Sequence, residues 1–271
     1  MSFDIVERSL NDGTPVELYT FTRSAQVFRY TSADEDVLYQ GATFTAVPLS
    51  RPSFEQSQDP GRKPISLKAS SGLGFVQQYI ASPPTDSISL IIRRFHTEDN
   101  TTEAVISWMG RVTNVKFESN QVEIQCEPIF TSMKRPGLRR LYQTTCPHLL
   151  YGPECKFSKP TFQLDAAVNI TGGTTLTAAS IGGEADGFYT GGMVEWTNAG
   201  VIDKRFILTH TGSGITINLP FEGMVNGDSV RIFPGCDHVL STCVDKFSNE
   251  VNYGGFPFIP TKNPFSGTPI F

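Results

Sequence analysis

Hydrophobic and polar positions alternate in short runs through roughly the first half of the chain, the period-two signature of half-buried strands. Val16 to Thr22 and Val27 to Tyr30 alternate, and Val37-Leu38-Tyr39-Gln40-Gly41-Ala42-Thr43-Phe44 predicts a hairpin turning at Gln40-Gly41. Ile65 to Ala69 reads as a further short strand. Three more are expected over Ser87 to Phe95, Ala104 to Phe117 and Gln121 to Cys126, the last two joined by a turn at Glu118-Ser119-Asn120. One helix is expected here: Gly74 to Ala81 puts Phe75, Tyr79 and Ile80 on one face, and Pro83-Pro84 stop it.

The pattern then changes. Lys134, Arg135, Arg139 and Arg140 form a basic segment, either a solvated connector or a source of positive charge beside the first cysteine pair. From 160 to 233 Gly, Thr and Ser rise, and apolar runs at Gly192 to Trp196, Arg205 to Thr209 and Ile215 to Leu219 are separated by turn residues. That is the pattern of a small inserted β module. The stretch from Tyr253 to Phe271 is rich in Pro, Gly and Phe and predicts an extended tail, either a strap for a partner or a segment packed on its own chain. The organisation expected is mainly β: a barrel-like domain over 1–135, a connector over 136–160, the inserted module over 161–233, and short helix plus tail over 234–271.

Composition supports a globular β chain. Hydrophobic residues are 39% and charged ones 18% of the 271, with 20 Phe and 8 Tyr among many Gly and Pro. The net charge of −5 argues against sequence-specific nucleic acid as a partner. The start Met1-Ser-Phe-Asp-Ile-Val-Glu-Arg lacks a basic, apolar leader, and no apolar run reaches the ~20 residues a membrane span needs. The expected setting is a reducing cytosol, where five cysteines suggest metal or cluster binding before disulfides.

Four of those cysteines form two pairs, Cys146 with Cys155 and Cys236 with Cys243, with eight and six residues between them. Pro147 and Gly152 predict one helical turn over His148 to Tyr151 with Cys146 at its N-cap. Asp237 predicts the N-cap of a helix running through Phe247, with Leu240, Cys243 and Phe247 on one face. Both leading cysteines would then sit at helix N-termini, where the dipole favours thiolate. Four such thiolates suit an iron–sulfur cluster. Zinc (Zn2+) takes the same ligands but prefers two to four residues between paired cysteines. Disulfides, or no joint site, stay open. Tying Cys155 to Cys236 would close a loop of roughly 80 residues, worth on the order of 4–5 kcal/mol in the chain-entropy account.

His148 and His238 each follow a leading cysteine by two residues and are candidates to pack around the thiols, or to act as ligand or proton carrier. Cys126 shares a strand face with Val122 and Ile124 and reads as a buried hydrophobe, and His96 and His210 carry no signal. A Cys/His nucleophile is the enzymatic alternative. No cysteine is privileged over its partner, and no G-x-S-x-G, P-loop, HExxH or dinucleotide-binding turn is present, so a non-enzymatic chain is expected.

The runs CEPIFTSMKRPGLRRLYQTTCPHLLYGPEC and PGCDHVLSTCVDKFSNEVNYGGFPFIP resemble the tail-tip, or baseplate hub, proteins of tailed phages, prophages and gene transfer agents. The resemblance implies a virion protein at the distal end of a long, non-contractile tail, assembled in the bacterial cytoplasm. Its neighbours would be a distal tail protein and a central tail-tip or fibre protein, and the hub would be a homotrimer. Similarity to lambda-like tail-tip proteins implies a [4Fe–4S] cluster on Cys146, Cys155, Cys236 and Cys243, leaving Cys126 outside. The cluster would act as a staple, or alternatively as a redox trigger in DNA ejection.

Overall fold

A computed structural model describes residues 3–9, 14–54, 64–80, 82–96, 104–134, 137 and 140–260. The chain divides into two compact units, Met1–Arg135 with Ala199–Val201, and Pro136–Asn198 with Ile202–Phe271.

In the first unit the alternating runs become strands: β1 Pro15–Arg23, β2 Gln26–Thr31, β3 Val37–Tyr39, β4 Ala42–Ala46, β5 Leu49–Ser50, β6 Ile65–Ser70, β7 Ser89–His96, β8 Ala104–Glu118 and β9 Gln121–Pro128. They form one sheet in the order β3-β4-β2-β1-β7-β8-β9-β6-β5. β2 pairs with β4 in parallel, and the other described pairs are antiparallel. Register shifts between Ile92 and Arg93, and between Val112 and Asn114, mark the irregularities that bend long strands. The sheet curls into a nearly closed barrel, as the sequence predicts. Phe28 and Tyr30 of β2 share one core with Leu49 of the far edge strand. Tyr19 and Phe21, Leu67, Leu90 and Ile92, and Ile124 point into that core from alternate positions, which is why period two is so legible here.

The turn at Gln40-Gly41 has φ of +48° and +75°, the double positive that a two-residue hairpin with right-twisted strands requires. The expected helix over 74–81 shrinks to one turn, α2 Gly74–Gln77, following α1 Phe3–Glu7. Phe75 and Val76 are its buried residues, Tyr79 packs against the core from outside the helix, and Ile80 is 66% exposed. Ala81 lies outside the described residues. A four-residue helix is far below the ~12 that sustain themselves. Tertiary packing holds it instead, with Phe75 stacked on Phe21 at 4.1 Å between ring centroids.

The second unit has seven strands, β10 Leu164–Ala167, β11 Asn169–Thr171, β12 Thr175–Thr177, β13 Met193–Asn198, β14 Val201–Thr211, β15 Gly214–Ile217 and β16 Ser229–Phe233. Their order is β10-β16-β13-β14-β15-β12-β11. Val194, Trp196, Ile207, Ile215, Ile217, Val230 and Ile232 line its core. Expected Gly192 lies just before β13, and the close approach of the Phe233 carbonyl oxygen, 2.0 Å from where a Cβ would stand, leaves room for glycine alone. Likewise Leu219 lies past the end of β15. α3, Leu240–Asp245, follows the sheet.

Candidate metal centre

The sheet of the second unit brings the two cysteine pairs together. Its first and last strands are neighbours: β10 pairs antiparallel with β16, Leu164 opposite Ile232. The segments entering and leaving the module therefore emerge side by side. Cys155 lies a short step before Leu164, and Cys236 a shorter one after Phe233.

All four cysteines line one hollow of about 350 Å³, counted to its open mouth, and His148 and His238 line it too. Cys146, Cys155 and Cys236 are half-buried, Cys243 is buried, and all are free thiols. Leu150, Phe247 and Tyr253 supply its apolar wall.

The local structure differs from expectation at both pairs. His148 to Tyr151 is a turn, not a helix, so Cys146 caps nothing. Tyr151 takes φ +63°, Gly152 donates to the Leu149 carbonyl at 2.9 Å, and the Cys146 N–H is spent on the His238 carbonyl at 2.8 Å. Cys236 is not at a helix N-terminus either. α3 starts at Leu240 with Val239 as N-cap, because His238 at φ +66° cannot continue a right-handed turn. Asp237 instead accepts from the Val239 N–H at 3.0 Å and the Thr242 hydroxyl at 2.9 Å. Cys243 and Phe247 do share the buried face, with Leu240 half-buried, although the helix ends at Asp245.

Individual N–H donors take the place of the expected helix dipoles. Gly254 N–H points at Cys146 Sγ (3.3 Å), His238 N–H at Cys236 Sγ (3.3 Å) and Asn249 Nδ2 at Cys155 Sγ (3.5 Å). The Cys243 thiol donates to the Asn249 carbonyl at 3.4 Å. Burial first, then the other three sulfurs, pushes the Cys243 thiol up to about 11. Burial also raises Cys236, with Asp237, Cys146 and Cys155 adding to the rise against the His238 N–H. Ionising all four thiols together would set their charges against one another, so a cation among them would favour the thiolate form.

Close packing places the donors. A Cβ on Gly235 would meet the Gly191 carbonyl carbon at 2.1 Å, so only glycine lets the chain deliver Cys236 at this point. A Cβ on Gly254 would stand 2.3 Å from His148 Nε2. His148 Nδ1 bonds the Asn252 carbonyl (3.0 Å), and its Nε2 faces Glu154 at 3.7 Å. Tyr253 Oη donates to the Thr144 and His238 carbonyls at 2.6 and 3.2 Å. Lys246 Nζ reaches the Phe188 and Gly235 carbonyls at 2.5 and 2.9 Å, and burial lowers its pKa against the pull of Cys236. Asn249, Tyr253, Gly254 and Lys246 escape the sequence reading. The doubled glycine in Asn252-Tyr253-Gly254-Gly255 is the one local signal that marks this close approach.

The remaining candidates lie apart. Cys126 is fully buried in β9, where burial pushes its thiol up to about 12. His96 bonds Glu7 (2.7 Å) and His210 the Gly212 carbonyl (3.1 Å). Of the basic run, Arg140 donates to the Gly254 carbonyl at 3.3 Å, and Arg135 and Arg139 lie outside the described residues. In the tail Phe256 packs on Tyr142 at 4.3 Å and donates its N–H to Gln143, while Phe258 is 90% exposed. Residues 261–271 lie outside the described residues.

Comparison with known proteins divides along the two cysteine pairs. A family described as "Baseplate hub protein, N-terminal attachment domain" matches residues 10–158, which include Cys146 and Cys155. A second, "Phage conserved hypothetical protein BR0599", matches 187–263, which include Cys236 and Cys243. A protein of Xylella fastidiosa (strain 9a5c), described as uncharacterized, is 25% identical over 162 residues, 56% of this chain. The chain spans about a third of that relative, 34% of its length. A chain from the solved virion of a native gene transfer agent particle superposes with a TM-score of 0.84 at 20% identity, covering 99% of this chain and 95% of that one. That likeness shows a shared fold.

Proposed function

The chain belongs to the family of phage baseplate hub proteins carrying the N-terminal attachment domain, and on that premise we propose that it builds the distal tip of a long, non-contractile tail. It forms part of the ring that closes the tail channel, as a homotrimer between the distal tail protein and the central tail-tip or fibre protein. It works in the virion and is assembled in the bacterial cytoplasm. No helix among the described residues is long and apolar enough to cross a membrane.

In this reading Cys146, Cys155, Cys236 and Cys243 hold a [4Fe–4S] cluster. The observation that carries it is the convergence of four thiols, from two distant segments, on one hollow. The donor set fits: all sulfur, N–H donors on three of the four, and an apolar wall, the surroundings that tune iron–sulfur centres. A lone zinc needs donors about 2.3 Å from a single point. Cluster thiolates bind separate irons and need no such common point, so metal and sulfide analysis decides between the two. Bound there, the cluster supplies iron–sulfur bonds that tie the two segments together. Gly254, His238 and Asn249 orient the sulfurs, and Phe247 and Leu150 limit water.

Anaerobic purification followed by visible absorption and iron, sulfide and zinc analysis tests the centre. Iron and labile sulfide near four per chain are expected. Stoichiometric zinc without sulfide would replace the cluster with zinc, and no metal at all would end the proposal. Particles built with Cys243→Ser test the role: absent or ragged tips mark a staple. The half-burial of three ligand cysteines favours a second reading, a redox trigger reachable from solvent. Intact tips that fail to eject DNA would select it. For a Cys/His nucleophile the relevant ring nitrogen is His148 Nε2, which faces Glu154 at 3.7 Å, while His238 meets Cys236 through its backbone N–H.

A further inference from the structure

Among the described residues, two are hydrogen-bonded to cysteines of both pairs. His238 does so through backbone alone: its carbonyl accepts from Cys146 N–H and its N–H points at Cys236 Sγ. Asn249 does so through side chain and backbone together. Its Nδ2 donates to the Cys155 carbonyl (2.8 Å) and faces Cys155 Sγ (3.5 Å), while its own carbonyl accepts the Cys243 thiol and its N–H donates to the Cys243 carbonyl (3.0 Å). The amide is oriented by Asn252, whose Nδ2 donates to Asn249 Oδ1 at 2.7 Å. Asn252 in turn holds His148 through its carbonyl. The N–H groups of Asn249 can therefore face only Cys155, since the oxygen end of the amide is already taken.

We propose that Asn249 is a positioning residue that clips Cys155 to Cys243 and tunes the centre those thiols hold. This rests on the four thiols being a metal or cluster site. An N–H aimed at a ligand sulfur withdraws electron density from it, which raises the reduction potential and slows ligand loss. Ser248, at φ +47°, ends the α3 segment so that residue 249 turns back over the thiols. The clip is thus built by the same reversal that terminates the helix.

Asn249→Asp in the full chain is the decisive variant. It keeps size, the acceptor for Asn252 and both backbone bonds, and removes the two donors. In the loaded protein the midpoint potential should fall, and metal release to a chelator should quicken about tenfold, the scale of one charge-assisted hydrogen bond. Unchanged potential and unchanged release would overturn the proposal. Val251→Ala, at a side chain 91% exposed, should alter neither. If the wild-type chain carries no metal, the centre itself fails, and Asn249 is judged separately. Iodoacetamide should then label Cys155 and Cys243 several-fold faster in Asn249→Ala than in wild type, and equal labelling would sink the clip.

Discussion

Cys126 and the four paired cysteines sit in opposite surroundings. Cys126 lies in β9, opposite Ile65 of β6 and Val112 of β8, in a cage of apolar side chains that keeps its thiol protonated. The paired cysteines occupy irregular segments, a turn and one short helix, three of them half-buried and Cys243 buried, with N–H groups aimed at three of the sulfurs. The same element is a packing atom in one unit and a candidate ligand in the other. What differs is the supply of donors and the absence of a regular ladder to consume them. The contrast extends to stability: the barrel rests on buried side-chain clusters, and the thiol region on polar clips between irregular segments.

Removing the staple should separate the two regions most severely. Loss of the centre through Cys243→Ser should cost the second unit up to about 4–5 kcal/mol, the value of the Cys155-to-Cys236 loop that the bound centre closes. Hydrogen exchange should show amides near α3 losing protection while those of β1 and β7 keep theirs. Loss spread equally over both units would refute it. The reciprocal change, Phe75→Ala, should cost the barrel about 3–5 kcal/mol and leave metal content untouched, read as a drop in the denaturation midpoint at constant iron. Gly235→Ala tests delivery of Cys236. Its Cβ must push back the Gly191 backbone, at about 1–3 kcal/mol, and metal content should fall with it.

The smallest expected effect is on pH. Glu17 in β1 pairs with Arg51 and accepts from Tyr19. Burial raises its pKa, but the Arg51 and Tyr19 bonds outweigh it and hold the carboxyl below its usual 4.5. A depressed folded pKa means that the pair stabilises the barrel above pH 4.5 and that this is lost as pH falls through the folded value. Between pH 6 and 3, Glu17→Gln should therefore lose less stability than wild type. Parallel denaturation curves would contradict it.

The barrel was legible because its inward residues, such as Tyr19, Phe21, Leu90 and Ile92, alternate without interruption. In the second unit β10, β11, β12 and β16 went unread. Three of them have four residues or fewer, and Thr-rich triplets such as Thr175–Thr177 are indistinguishable from turn sequence without their partners. The helix starts predicted from Pro147 and Asp237 failed for a related reason. Each residue has the right local chemistry, but Tyr151 and His238 take left-handed conformations and bond distant segments, Tyr151 Oη the Pro234 carbonyl and the His238 carbonyl the Cys146 N–H. The six site residues were nameable from their spacing and resemblance, whereas Asn249 and Gly254 act across about a hundred residues of chain, and only the doubled glycine at Gly254-Gly255 marks the second of them locally.

From its amino acids alone, this protein declares a β-rich architecture, a hairpin at Gln40-Gly41 and four paired cysteines set apart from a fifth. Only the folded chain decided that β10 and β16 lie side by side, and hence that Cys155 and Cys236 open onto the same hollow. Alternation is written residue by residue, because burial acts on each side chain separately. Strand partnership is settled by which edges remain available once everything else has packed.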